Sequence, residues 1–472
     1  MDLFSFSAIS LIRIILLAQP IIKKMQQAKN QSGSIKNVWE HSLPPMISCF
    51  SSYIMWFIDR CFLSYYSLEA LNATVTASAL AWGFLGGAAV MAGMIELFVA
   101  QYEGANQSEK IGPAIWQMIW FSLFTSLIFI PIGIWGTDFF YTSHSMEASY
   151  FRWTICFGFF QPLIYTLTSF FVGRGHSKAI ISLALFSTLF YIVIDKAFIF
   201  GVANIIPKMG STGAAIAGCL TLALQAIILF ICFILPNNRK TCNTHLWHFD
   251  WTRFIKFSRV AGPPAILYNI EQLGWSLFYS LMFLASPIHI TISSLCQGLI
   301  LLFSFLGDGL ARGSSVLANN SVGAGNFDLV RKVWRSTSLI LIFIFLFQVL
   351  ILLIKPTFFI RSFLPTTHST DLFGGPLEGS LWFVLIFLLF QGFQWVLSGL
   401  LHARGESFFV MFSGSLSIWL FLISPAYFFI IERHYSVLWA WFFVAFYSIM
   451  CTLIYFWRWR THHKEVASIS FI

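Results

Sequence analysis

Charge is what this sequence has least of. Asp, Glu, Lys and Arg together make up 10% of its 472 residues, where an ordinary soluble domain carries roughly 25%. That scarcity excludes a fold solvated by water on every side. Cysteine supplies no scaffold either. Of eight Cys, seven (Cys49, Cys61, Cys156, Cys219, Cys232, Cys296 and Cys451) lie in apolar runs, where a thiol packs as a small hydrophobe. Cys242, in the tract Cys242-Asn-Thr-His245-Leu-Trp-His248, has metal-like spacing without a clear fourth ligand and is read as part of a solvated loop. No His-Glu-x-x-His and no exposed Gly-x-Ser-x-Gly occurs, so the hydrolytic signatures are missing and the chain is not read as an enzyme. The net charge of +9 is scattered through short loops rather than gathered on one face, which argues against nucleic acid as a partner.

What is abundant is apolar: 58% of the chain, with 54 Phe and a mean hydropathy of +0.77. With lipid as solvent the unit is about 20 apolar residues, enough for a helix to cross a hydrocarbon core of about 30 Å. Apolar spans fall near 43–63, 74–100, 112–134, 151–172, 178–201 and 211–235, then near 259–284, 290–318, 336–354, 379–401, 408–430 and 436–457. The fold class expected is an all-α integral membrane protein, with about twelve transmembrane helices in two pseudo-symmetric six-helix lobes. Its parts are an N-terminal interfacial segment (1–37), an N-lobe (38–235), a cytoplasmic linker (236–257), a C-lobe (258–458) and a cytoplasmic tail (459–472). The run from Leu3 to Leu17 is broken by Arg13 and ended by Pro20, so it is expected to lie in the interface rather than to insert. With both termini inside, nineteen Lys and Arg fall in inner segments; Arg60, Arg152, Lys208, Lys355, Arg361 and Arg433 fall outside. The positive-inside rule therefore sets both ends in the cytoplasm, in the plasma (inner) membrane.

The two halves repeat. Pro44-Pro45 returns as Pro263-Pro264 and Gly104-Ala105 as Gly323-Ala324, both at a separation of 219; Arg174-Gly-His-Ser177 returns as Arg404-Gly-Glu-Ser407 at 230. Six spans per half give the halves the same orientation, related by an axis along the membrane normal, as in alternating-access transporters.

Several stretches resemble the MATE (multidrug and toxic compound extrusion) family of the wider multidrug/oligosaccharidyl-lipid/polysaccharide exporter superfamily. They are Asp59 through Glu69-Ala70-Leu71, Leu97 to Ala105, Gly173-Arg-Gly-His-Ser with Ala403-Arg-Gly-Glu-Ser, Ile194-Asp195 to Gly201, and Gly213 to Ala217. The resemblance covers roughly 38–460 and implies a V-shaped pair of lobes that exports drugs or metabolites by proton or sodium antiport. On that resemblance Asp59 and Asp195 match the acids of an N-lobe cation-coupling site. Their repeat equivalents, Phe278 and Pro425, cannot titrate. Tyr191 stands where the family often has Asn, and Gly218 where it commonly has Thr; losing two hard oxygen ligands tilts the expected coupling ion toward H+ and away from Na+. Glu271 resembles a seventh-helix acid whose tenth-helix Asp partner is replaced here by Gln391, a possible C-lobe coupling or substrate site.

An ionisable group at membrane depth costs about 2.5–3.5 kcal/mol on insertion scales, so each one asks for a reason. Asp59 also has a bland explanation in an ion pair with Arg60, and Asp195 in one with Lys196. Asp308 and Arg312, four apart on one helix, read as an internal salt bridge. Glu96, Tyr191, Asp308 and Arg312 are placed near the cavity. Tyr53, Met55, Trp82, Trp275 and Trp395 could line it, although such residues more often pack. The function expected is secondary-active efflux of small organic, often cationic or amphipathic, compounds by cation-coupled antiport. The alternative is a flippase for lipid-linked oligosaccharide, for which Arg312 and Lys196 are the only candidate cations. The partners are then a small organic substrate, H+ or Na+ and the lipid bilayer, with the protein acting as a monomer and with no cofactor or metal.

Overall fold

The computed structural model describes residues 33–104, 107–142, 145–174, 177–202, 205–323, 327–354 and 374–461. The N-terminal run Leu3–Leu17, Ala105, Ala324, His176, Lys355, Arg361 and the tail beyond Thr461 lie outside these residues.

The N-terminal half comprises α1 (Ile35–Tyr66), α2 (Leu68–Gly93, continued after Met94 as Ile95–Gly104), α3 (Ile111–Pro131), α4 (Met146–Cys156 and Phe160–Gly173), α5 (Ser177–Phe200) and α6 (Gly210–Phe233). The C-terminal half comprises α7 (Trp251–Ala285), α8 (Pro287–Gly323), α9 (Phe327–Ile354), α10 (Gly374–Ala403), α11 (Ser407–Ile418) and α12 (Val437–Thr461). Nine of these are long and apolar enough to cross a bilayer; α1 and α4, each bent by just over 40°, bring the number to eleven. Helix α7, which carries Arg253, Lys256, Arg259 and Glu271, is 35 residues long but is not apolar enough to be counted with them. Large apolar side chains such as Leu127, Phe139, Val193, Leu284 and Phe343 stand exposed on the outside. That surface is compatible with hydrocarbon and not with water.

Local chemistry sets the helix boundaries. Ser67 is extended: its N–H donates to Leu63 O to close α1, while its hydroxyl accepts from Ala70 N to open α2. Ser286 takes the same extended geometry between α7 and α8, with its N–H on Met282 O and its hydroxyl accepting from His289 N at 3.3 Å. The two serines are 219 positions apart, so the repeat read from prolines and glycines extends to this one-residue turn. Such side-chain caps satisfy donors that a helix start leaves orphaned. Pro131 is followed by a π-helical turn, Ile132–Gly136, that runs into Thr137–Phe140. Beyond α11, in the same span running to Glu432, Pro425 sits between two π-helical stretches, Trp419–Ile423 and Tyr427–Glu432, because a residue without an N–H leaves a carbonyl that the next turn must serve differently.

The halves interlock through two helix pairs, α1 with α8 and α2 with α7. Glycines make the close approach possible. A Cβ on Gly309 or Gly313 would strike the backbone of Met46 or Ser42, and one on Gly86 or Gly87 would strike Tyr268 or Asn269. Small residues of this kind let helices pack backbone to backbone where lipid gives no hydrophobic drive. Gly87 N–H also donates to Asn269 Oδ1, and Asn72 Nδ2 donates to Thr291 Oγ1 at 2.7 Å. One buried apolar cluster accordingly runs through both halves.

The stretch between the halves is not a free solvated loop. After a short helix, Pro236–Cys242, its backbone is tied to α3. Trp116 Nε1 donates to Thr244 O (2.8 Å), Trp120 Nε1 to Trp247 O (2.8 Å) and Gln117 Nε2 to His248 O (3.1 Å), while Gln117 Oε1 accepts from Asp250 N (2.8 Å). Cys242 is buried. The apolar tract on α3 hides this docking role from the sequence.

Candidate functional site

In the N-terminal half, α1 and α5 bring Asp59 and Asp195 together. Both are buried. Tyr191 and Asp195 are four apart and so share a face of α5. The Tyr191 hydroxyl donates to Asp59 Oδ1 at 3.1 Å, and Tyr191 lies within electrostatic reach of both acids. The two carboxyls also lie within reach of each other. Asp59 is not alone: Arg60 Nη1 meets its Oδ2 at 2.8 Å, both side chains being under a tenth exposed. Arg60 Nη2 reaches Ser78 Oγ on α2 at 3.0 Å. Arg60, counted above with the outer loops, therefore belongs to the interior, and its pair with Asp59 is a buried one. Asp195 differs. Neither carboxylate oxygen has a hydrogen bond of good geometry among the described residues, and Lys196, the adjacent cation, points outward and is exposed. A buried carboxyl left so bare is costly, and a proton is the smallest species that relieves it.

The C-terminal half holds its own acid. Tyr447 on α12 donates to Glu271 Oε1 at 3.3 Å, and Tyr447 is also reached by Gln394 of α10. Gln391, the position matched to a lost acid, goes elsewhere. Its Oε1 accepts from Ser304 at 3.4 Å, and it lines a void of about 10 Å³ with Gln348 and Trp395, room for about one water. Where Asp59 has its repeat equivalent, Phe278 is fully buried among Trp275, Tyr279 and Trp441. Trp275 is thus a packing residue.

Between the halves lies a third polar group. Arg312 on α8 meets Asp308 through Nε at 2.9 Å and Nη2 at 3.2 Å, the internal pair that their spacing predicts. Cys49 Sγ on α1 donates to Asp308 Oδ2 across the halves at 3.4 Å. Glu96 on α2 is exposed and within electrostatic reach of Arg312. Arg60, Tyr447 and Gln394 were not singled out from the sequence. Arg60 was visible only as a neighbour of Asp59; the other two lie in aromatic-rich apolar runs that mark nothing.

Nine to eleven apolar helices among the described residues and two interlocked halves, with an acid inside each, define a two-lobed membrane fold. The MatE family model matches residues 44–196. Probable multidrug resistance protein NorM of Bacillus subtilis (strain 168) is 24% identical over 282 residues, 57% of this chain and 61% of that protein. A protein of the same name from Oceanobacillus iheyensis is 30% identical over 186 residues, 38% of this chain and 41% of that one. The matches thus span about half the length of these relatives. A solved structure, the inward-facing conformation of a multidrug resistance MATE family transporter of the MOP superfamily, superimposes with a TM-score of 0.76 at 15% identity, over 90% of this chain and 98% of that one. Over residues 44–196 the chain matches the MatE family model, and its fold is that of solved MATE family transporters.

Proposed function

We propose that this protein is a secondary-active exporter of small organic compounds, working by cation-coupled antiport with the proton favoured over sodium. The observation that carries the reading is Asp195, buried with only the Tyr191 hydroxyl in reach and no hydrogen bond of good geometry among the described residues, beside the Asp59–Arg60 pair. A carboxyl in that setting takes up a proton in the closed site and gives it up when water enters. A sodium ion needs several hard oxygen ligands, and Arg60 already occupies one oxygen of Asp59. The relatives called probable multidrug resistance proteins support small organic cargo. The distribution of Lys and Arg supports a cytoplasmic side for both termini, which we take to be that of a plasma membrane.

The energy scale suffices. One proton falling through about 100 mV releases about 2.3 kcal/mol, against about 1.4 kcal/mol per tenfold gradient. Voltage alone then supports roughly a fifty-fold gradient of a neutral cargo per proton. The test is reconstitution of the full chain in vesicles with an imposed pH or sodium gradient and a fluorescent organic cation. A pH gradient should drive dye movement in the wild type and fail in Asp195→Asn; dye movement that follows sodium alone would reject the proton. Flipping of a lipid-linked oligosaccharide ranks second, because Arg312 has two of its nitrogens engaged by Asp308 and Lys196 faces outward.

A further inference from the structure

The chain that joins the halves carries cations and aromatic rings that neither half uses. From Pro236 to Arg259 five basic residues, Arg239, Lys240, Arg253, Lys256 and Arg259, are exposed, against a single acid, Asp250. That acid is already engaged. Its Oδ1 accepts from Thr252 N and Arg253 N at the start of α7, and its Oδ2 meets Arg253 Nε at 3.1 Å. The other four cations form no ion pair among the described residues. In the first turns of α7, Phe257 and Ala261 are buried and Phe254 is half-buried, while Arg253, Lys256 and Arg259, three apart, stand exposed. The helix therefore starts with an apolar side against the protein and a cationic side away from it.

The aromatic rings decide what kind of surface this is. Trp116, Trp120 and Phe124 are four apart and form one stripe along α3. The strap 242–250 follows that stripe: Thr244 lies at Trp116, Trp247 at Trp120 and Phe249 at Phe124. Eight residues of helix advance about 12 Å, so the strap runs alongside the apolar body of α3 rather than beyond its end. Backbone without partners is costly in hydrocarbon, and here the two indoles and Gln117 supply partners. Trp247 and Trp251 still keep 63% and 62% of their surface open, and Leu127, one turn further along the stripe, is exposed as well. Exposed indoles among cations are the composition of a membrane–water boundary, where the rings sit at headgroup level and Lys and Arg attract anionic lipid. An acidic peptide or a nucleic acid would match the cations and leave both indoles facing water.

We propose that the segment 239–259 is a binding site for anionic phospholipid, its headgroup charge met by the exposed cations and its apolar part by Trp247 and Trp251. The site is independent of the export reading and of any gradient. The full chain, purified in neutral detergent, is incubated with equal amounts of phosphatidylglycerol and phosphatidylcholine at no more than two lipids per chain. It is then recovered on affinity resin, and the ratio of retained lipids is measured by mass spectrometry. Each cation near an anionic headgroup is worth about fivefold, so two engaged cations should give the wild type a preference of about 25-fold for phosphatidylglycerol. Lys240→Gln/Lys256→Gln/Arg259→Gln should bring the ratio close to one. Arg331→Gln/Lys332→Gln, which removes exposed cations of α9 outside the segment, should leave it unchanged. Trp247→Ala/Trp251→Ala should lower retention of both lipids and keep their ratio. The proposal is overturned if the wild type retains the two lipids equally, a comparison that needs no variant to fold. Equal loss of preference in the two cation variants, or undiminished retention in the tryptophan variant, would overturn it too. So would displacement of phosphatidylglycerol by an equal amount of glycerol phosphate or polyglutamate, which would give the cations to a soluble anion.

Discussion

The two halves share a helix order, a proline pair and a one-serine turn, yet they bury different chemistry at equivalent depth. The N-terminal half has Asp59 and Asp195 where the C-terminal half has Phe278 in an aromatic cluster and Pro425 between two π-helical stretches. The acid of the second half, Glu271, sits on α7 and is held by Tyr447 of α12. Each half therefore pairs one acid with one tyrosine hydroxyl, but only the first sets a second carboxyl beside it. A doubled fold leaves one copy able to carry chemistry while the other keeps the packing, and α5 stays regular where the span beyond α11 is distorted.

The comparison can be broken by experiment. The largest effect expected is the loss of pH-driven efflux in Asp195→Asn with efflux retained in Glu271→Gln, measured in vesicles; equal loss in both would return the two acids to equal standing. Next come the ion pairs. Arg60→Ala strands a buried carboxylate and should lower stability by about 3–5 kcal/mol, largely recovered in the Asp59→Asn/Arg60→Ala double variant. Arg312→Ala, in an accessible pair, should cost under about 1 kcal/mol. Thermal melts in detergent read both. Gly309→Ala drives a Cβ into the Met46 backbone and should cost about 1–3 kcal/mol, seen as a lowered melting temperature. Smallest are Tyr191→Phe and Tyr447→Phe, each removing one hydroxyl from an acid for about 1 kcal/mol. A large loss for only one of them would show that the two acids are held differently.

The parts of this molecule that the sequence makes legible are those that repeat or lie close along the chain. The proline pairs mark α1 and α7, and Asp308 and Arg312 are joined because four positions is one turn. The helices themselves follow from apolar length. What stays hidden lies across helices. Tyr191 finds Asp59 over 132 positions and Tyr447 finds Glu271 over 176. In water a helix announces its inner face by its polar outer one. In lipid both faces are apolar, so hydropathy reports depth and not direction. For the same reason the matched position Gln391 was a poor guide: three residues further on, Gln394 occupies the face that shares Tyr447 with Glu271. The linker's hold on α3 was not legible because it comes from indole and amide donors embedded in an apolar run.

Asn72 and Thr291 hold each other at a separation of 219, the repeat length itself. Residues at matching places in two related halves straddle the axis that relates them. A symmetric tilt of the halves would shift contacts far from that axis, such as those of α1 with α8 and α2 with α7, more than this one between α2 and α8.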